Sequence, residues 1–150
     1  MDQMKAKIHA ISVSDKKGVQ KENVASALLK ESHGIDGDAH AGDWHRQVSL
    51  LAKESIKKMQ DLGLDVSAGD FAENITTEGV DLVSIPVGTS LKVGDGIILK
   101  VTQIGKVCHD KCAIYYQAGD CVMPKEGIFA EVIKGGTIRP GDEIEVINND

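Results

Sequence analysis

All three cysteines of this chain, Cys108, Cys112 and Cys121, fall inside one short window. Lys106, His109 and Lys111 surround the first two with positive charge. Cationic neighbours lower a thiol pKa, and the thiolate is the form that attacks sulfur or binds metal. Four readings are open to such a cluster. The blandest is a set of partly buried, inert thiols. A Cys3His zinc site could draw on Cys108, His109, Cys112 and Cys121, but adjacent Cys108 and His109 strain to reach one tetrahedral ion, and the paired knuckles of zinc folds are missing. A Cys108–Cys112 disulfide switch is a poor match to the Cys-x-x-Cys of redox enzymes. The fourth reading is a reactive thiolate that holds a sulfane sulfur or ligates a soft metal such as molybdenum.

Two further runs are dense in ligand-positioning groups. Gly34-Ile-Asp-Gly-Asp-Ala-His-Ala-Gly-Asp-Trp-His-Arg-Gln47 combines glycines, which turn the backbone and present amides, with His40, His45 and Arg46, which can clamp a phosphate or carboxylate. Asp36, Asp38 and Asp43 resemble a calcium loop only superficially, because the closing bidentate glutamate is absent. Trp44 suits a core plug or a ligand wall equally. In Gly69-Asp-Phe-Ala-Glu-Asn-Ile-Thr76, Glu73 and Asn74 either hold the edge of a ligand or satisfy a turn.

These groups need a scaffold, and the chain supplies a mainly β one. Residues 5–13 alternate in part and predict a strand. Residues 23–30 suit either a helical turn or an extended arm, and residues 34–44 hold too many special-backbone residues for regular structure. Ile56, Met59 and Leu62 recur at helical spacing and predict a helix over 53–62, ended by Gly63. From Phe71 onward the pattern is strand-rich: 73–79, the region 86–96, 97–104, 127–133 and 143–147, with Gly-Asp turns between. Val93-Gly-Asp95 is echoed in Pro140-Gly-Asp142, which is turn chemistry. Short strands at this spacing predict a barrel or a sandwich. With 150 residues and no dividing linker, one domain over 1–150 is expected.

Composition narrows the partners. A net charge of −6 and an aromatic content of 3% argue against a nucleic-acid surface or base-stacking platform. No run has the length of a membrane span, and the first residues lack a basic start before an apolar core. An odd number of cysteines without a leader suggests a cytoplasmic protein with reduced thiols.

Taken together, Gly34-Ile-Asp-Gly-Asp-Ala-His-Ala-Gly42, His45-Arg-Gln-Val-Ser-Leu50, Gly69-Asp-Phe-Ala-Glu-Asn-Ile-Thr76 and Val101-Thr-Gln-Ile-Gly-Lys-Val-Cys108 resemble the MOSC domain, named for the C-terminal region of molybdenum cofactor sulfurases. The resemblance runs from about residue 8 to 147 in the family's motif order, and is greatest to its small stand-alone bacterial members. It implies a mostly β, closed barrel-like fold with a few short helices. It also implies sulfur handling around the molybdenum cofactor (molybdopterin), with a cysteine that carries sulfur or ligates the metal. The approach to Cys108 matches the small bacterial members, whereas the sequence after Cys112 resembles larger ones, so the resemblance names both and prefers Cys108. Arg46 falls at a basic loop position suited to the pterin phosphate, with His40, His45, Glu73, Asn74, Lys106 and His109 as further cofactor contacts. The pyridoxal-phosphate domain of the large sulfurases has no counterpart here. A separate cysteine desulfurase is therefore the expected sulfur donor, and a molybdoenzyme or cofactor-biosynthesis protein the expected acceptor.

Overall fold

The computed structural model describes residues 6–14, 21–39, 41–44, 47–63, 65–69, 71, 73–94, 96–104 and 127–147. Its elements run β1 (Ala6–Val13), β2 (Glu22–Val24), β3 (Ala27–Lys30), β4 (Gly34–Ile35), β5 (Val48–Ala52), α1 (Lys53–Asp61), β6 (Ile75–Glu78), a 3-10 turn (Leu82–Ser84), β7 (Ser90–Val93), β8 (Ile97–Ile104), β9 (Ile128–Lys134), β10 (Gly136–Ile138) and β11 (Glu143–Ile147). The stretch 23–30, open between helix and arm in the sequence, is extended and contributes to β2 and β3.

Strands β1, β11, β7, β8, β9, β5 and β6 hydrogen-bond in a ring, so the expected closed barrel is what forms. The ring shuts where Ala6 and Lys7 pair with Ile144 and Glu143. Closure removes the open edges that would otherwise template association. Further along β1, Ile11–Val13 pair with β2. Strands β10, β3 and β4 form a separate small sheet that feeds Leu29, Ile35 and Ile138 into the same core.

Ile8 and Ile11 show how the sequence is bent to this shape. Their odd spacing would place them on opposite faces of a regular strand. A register shift between Ile8 and Ala10 inserts a bulge, and both side chains reach the barrel core. Most pairings are antiparallel, but β5 and β6 run parallel, which demands a crossover; α1 is that crossover. Consequently β5 is buried on both faces: Val48 and Leu50 belong to the barrel core, while Leu51 packs outside it with Ile56 and Met59 of α1, Val66, Phe71 and Phe129. The helix is one residue shorter than its periodicity suggests. Leu62 caps it at 67% exposure instead of joining the apolar stripe, and Gly63, with φ +92°, takes the chain away. The expected few short helices are, among the described residues, this helix and one 3-10 turn. None is long and apolar enough to cross a membrane.

Candidate functional site

Cys108, Cys112, Cys121, Lys106, His109, Lys111, His40, His45 and Arg46 lie outside the described residues, so the site is approached through the elements on either side of them. Across the barrel wall, Ile104, Ile128, Leu50, Ile75, Ile11 and Val24 stand in register on adjacent strands. The cysteine-bearing residues 105–126 join the first two members of that row. Glu73 and Asn74 head β6, which flanks β5 on the side opposite β9, about 10 Å from β9 at the usual strand spacing. Phe71, just before them, packs in one cluster with Phe129 of β9. The sequence thus brings the 69–76 run and the strands that launch the cysteine segment to one part of the wall.

Asn74 is fully buried and both ends of its amide are occupied within the protein. Its Oδ1 accepts from the Ser49 backbone N–H at 3.0 Å and the Ser49 hydroxyl at 3.2 Å, and its Nδ2 donates to the Ser12 carbonyl at 3.3 Å. The Ser12 N–H donates in turn to the Asn74 carbonyl at 2.7 Å. One side chain therefore ties β1, β5 and β6 together where β6 begins.

Glu73 differs. It is also fully buried, and the Thr76 hydroxyl donates to Oε2 at 2.8 Å, but among the described residues Oε1 has no partner at full hydrogen-bond geometry, although the backbone of Gly69 and Phe71 acts on the carboxyl. Burial pushes the carboxyl above the usual glutamate range, opposed by the nearby backbone of Gly69 and Phe71 and by the Thr76 hydroxyl. Thr77 Oγ1 is a second buried, unpartnered atom, on the neighbouring stretch of β6.

The 34–47 loop is closed at its base. A Cβ on Gly34 would stand 2.5 Å from the Gln47 carbonyl oxygen, so the loop's two ends meet there and only glycine fits, with φ +119°. Gln47 Oε1 accepts the Val132 N–H at 2.9 Å, which fixes the chain directly after Arg46 to β9. Trp44 is half-buried and belongs to neither core cluster. The three aspartates separate: Asp43 is exposed, Asp36 pairs with Lys30 at 3.1 Å on the surface, and Asp38 is buried. No group of three His, Cys, Asp or Glu side chains among the described residues could hold a metal ion.

The residue that sequence reasoning missed is Lys21. Its ammonium meets Asp38 at 2.8 Å with both side chains at 0% exposure. Asp38 Oδ1 also accepts the Ser14 N–H at 3.0 Å, and the Ala39 N–H donates to the Ser14 carbonyl at 2.7 Å. The Lys21 N–H donates to the Gly69 carbonyl at 2.9 Å, and a Cβ on Gly69 would stand 2.4 Å from the Lys21 carbonyl oxygen. Lys21 therefore links the 34–47 loop to the 69–76 run. No local signal betrays it: a lysine in a polar stretch looks solvated until a partner 17 residues away closes over it.

Comparison with known proteins agrees with this architecture. The MOSC domain family model matches residues 36–145. Among solved structures, the chain is similar to the YuaD protein of Bacillus subtilis, with a TM-score of 0.79 and 20% identity over 95% of this chain and 96% of that one. It is also similar to YiiM of Geobacillus stearothermophilus, with a TM-score of 0.70 and 19% identity over 95% and 75%. YiiM of Escherichia coli follows with a TM-score of 0.67 and 17% identity over 99% and 72%. No curated protein sequence matches the chain. The chain belongs to the MOSC domain family, which is linked to sulfur chemistry around the molybdenum cofactor.

Proposed function

We propose that this chain is a cytoplasmic sulfur carrier associated with the molybdenum cofactor, loaded on Cys108 or Cys112 by a separate cysteine desulfurase. The observation that carries the reading is the match of the MOSC family model to residues 36–145, a span that contains all three cysteines. The donor set suits the cofactor. Thiolates are soft ligands for molybdenum, and His40, His45 and Arg46 are donors for its phosphate. When bound, the cofactor supplies a metal–sulfur centre as the destination of the sulfur.

In loading, the thiolate attacks the outer sulfur of the donor's persulfide. The donor's S–S bond breaks, its thiolate leaves, and a new S–S bond forms on this chain with no net oxidation. Lys106, His109 and Lys111 stabilise the anion. A molybdoenzyme or cofactor-biosynthesis protein is the acceptor.

Mass spectra of anaerobically handled protein after incubation with a desulfurase and cysteine test this. One added sulfur should survive denaturation, disappear with reductant and be absent from the Cys108→Ser/Cys112→Ser double variant. Loading retained in that double variant, or no loading of the wild type, overturns the assignment. A second reading is a binding module without transfer, since binding and transfer would use the same residues. Cofactor retained by Cys108→Ser, with no sulfur passed on by the wild type, would select it.

A further inference from the structure

The two Gly-Asp turns that echo each other in the sequence meet at the Ile97 end of β8, where Gly94 lies beside Asp142. Gly94 sits in the β7–β8 turn, and a Cβ there would stand 3.4 Å from Oδ2 of Asp142, in the β10–β11 turn. Beside them is the junction of β9 and β10. Together these turns line an open cavity of about 240 Å³ with Gly94, Gly96, Lys134, Gly136, Arg139 and Asp142, among others.

Its walls are bare backbone for a structural reason. Gly135 cannot carry a side chain, since its Cβ would stand 2.3 Å from the Leu29 carbonyl oxygen, and a Cβ on Gly136 would press on Ile97 at 3.0 Å. Gly96 differs: at φ +111° its nearest neighbour would be Nζ of Lys134 at 3.8 Å. The Lys134 ammonium thus lies across the cavity wall over Gly96. Lys7, Lys21, Lys30, Lys53 and Lys57 each pair with a carboxylate within 3.4 Å. Neither Lys134 nor Arg139 forms an ion pair with any described residue. Asp142, the one carboxylate among the described lining residues, accepts the Arg139 N–H on Oδ2 at 2.8 Å, which fixes the turn that carries Arg139. Among the described lining residues, two cationic side chains stand against one carboxylate, on a protein of net charge −6.

We infer that this cavity binds a small oxyanion of the phosphate class, held by Lys134 and Arg139 against the glycine backbone. An ammonium and a guanidinium at the rim match several oxygens at once, and exposed backbone lets the anion approach closely. The cavity lies at the Ile97 end of β8, roughly 23 Å at ~3.3 Å per residue from the Ile104 end.

The test is an amide NMR titration of the whole chain at constant ionic strength, with inorganic phosphate in one series and glycerol phosphate in another. Saturable shifts confined to Gly94, Gly96, Gly135, Gly136 and Arg139 are expected. The Lys134→Gln/Arg139→Gln variant should lose about tenfold or more in affinity, equivalent to ~1.4 kcal/mol. Lys57→Gln/Lys58→Gln, which removes the same charge on α1, should lose less than about twofold by the same measure. Binding of inorganic phosphate in preference to the ester identifies free phosphate as the source, and the reverse identifies a phosphate monoester. Absence of saturable shifts, shifts scattered over surface lysines, or equal losses in both double variants overturns the inference.

Discussion

Replacing Lys21 by methionine removes the ammonium that meets the buried Asp38 carboxylate, whose Oδ1 also accepts the Ser14 N–H. An ion pair on the surface contributes about 0–1 kcal/mol, whereas breaking a buried one by removing one partner costs about 3–5 kcal/mol, because a charge stays desolvated and uncompensated. Both side chains here are at 0% exposure, which places the pair in the second class. Lys21→Met and Asp38→Leu should each cost about 3–5 kcal/mol, a large part of the ~5–15 kcal/mol available to a domain. The double variant Lys21→Met/Asp38→Leu should recover most of the loss, since a well-packed apolar pair can replace a buried ion pair at little cost. Urea unfolding with fixed slope measures all four proteins, and the thermal midpoint of each single variant should fall by roughly 6–20 °C. Single variants costing less than about 1 kcal/mol would mean that the pair is solvated and the burial argument wrong. Strictly additive losses in the double variant would refute the coupling just as directly.

Glu73 gives a prediction with a defined sign. Its carboxyl is pushed above the ordinary 4.5, so the native state holds the proton more tightly than the unfolded chain does. Stability should rise as pH falls through the raised native value and level off below about 4.5, with the full penalty present above the native value. Glu73→Gln keeps an acceptor for Thr76 and removes the charge; it should be more stable than the wild type at neutral pH and equal to it in acid. A variant less stable at neutral pH, in paired unfolding curves across that range, would show that the charged form is the one the fold favours. Asn74→Ala leaves the Ser49 N–H and the Ser12 carbonyl without their side-chain partner, at about 1–3 kcal/mol for each buried group. Hydrogen exchange should then accelerate first in β1, β5 and β6; a loss below about 0.5 kcal/mol would show that water replaces the amide.

Much of the scaffold was legible because it depends on local pattern. Ile97–Ile104 is a run of β-formers bounded by turn glycines, and Ile56 and Met59 sit one helical turn apart, so the strand and the helix follow from side-chain period alone. Short elements were harder. β4 and β10 span two and three residues, too few for a period to show, and they exist because β3 offers them hydrogen-bonding edges. Leu62 was misplaced for a related reason: its spacing fits the apolar stripe, but the helix has already ended.

By itself the sequence determined the β-rich class, the crossover helix and the concentration of sulfur in one window, all properties of residue type and near-neighbour spacing. Its motifs also marked the family. Tertiary structure decided what spacing cannot encode. Ring closure joins β1 to β11 from opposite ends of the chain, and a bulge turns Ile8 and Ile11 to one side. Lys21 and Asp38 are two ordinary polar residues until burial makes each the other's neutralising partner. Asn74 and Glu73 are neighbours of similar chemistry, yet the fold pairs both ends of the Asn74 amide and, among the described residues, leaves one Glu73 oxygen without a well-aligned donor. Burial and partnership depend on what the rest of the chain brings within about 3 Å, and that is a property of the fold.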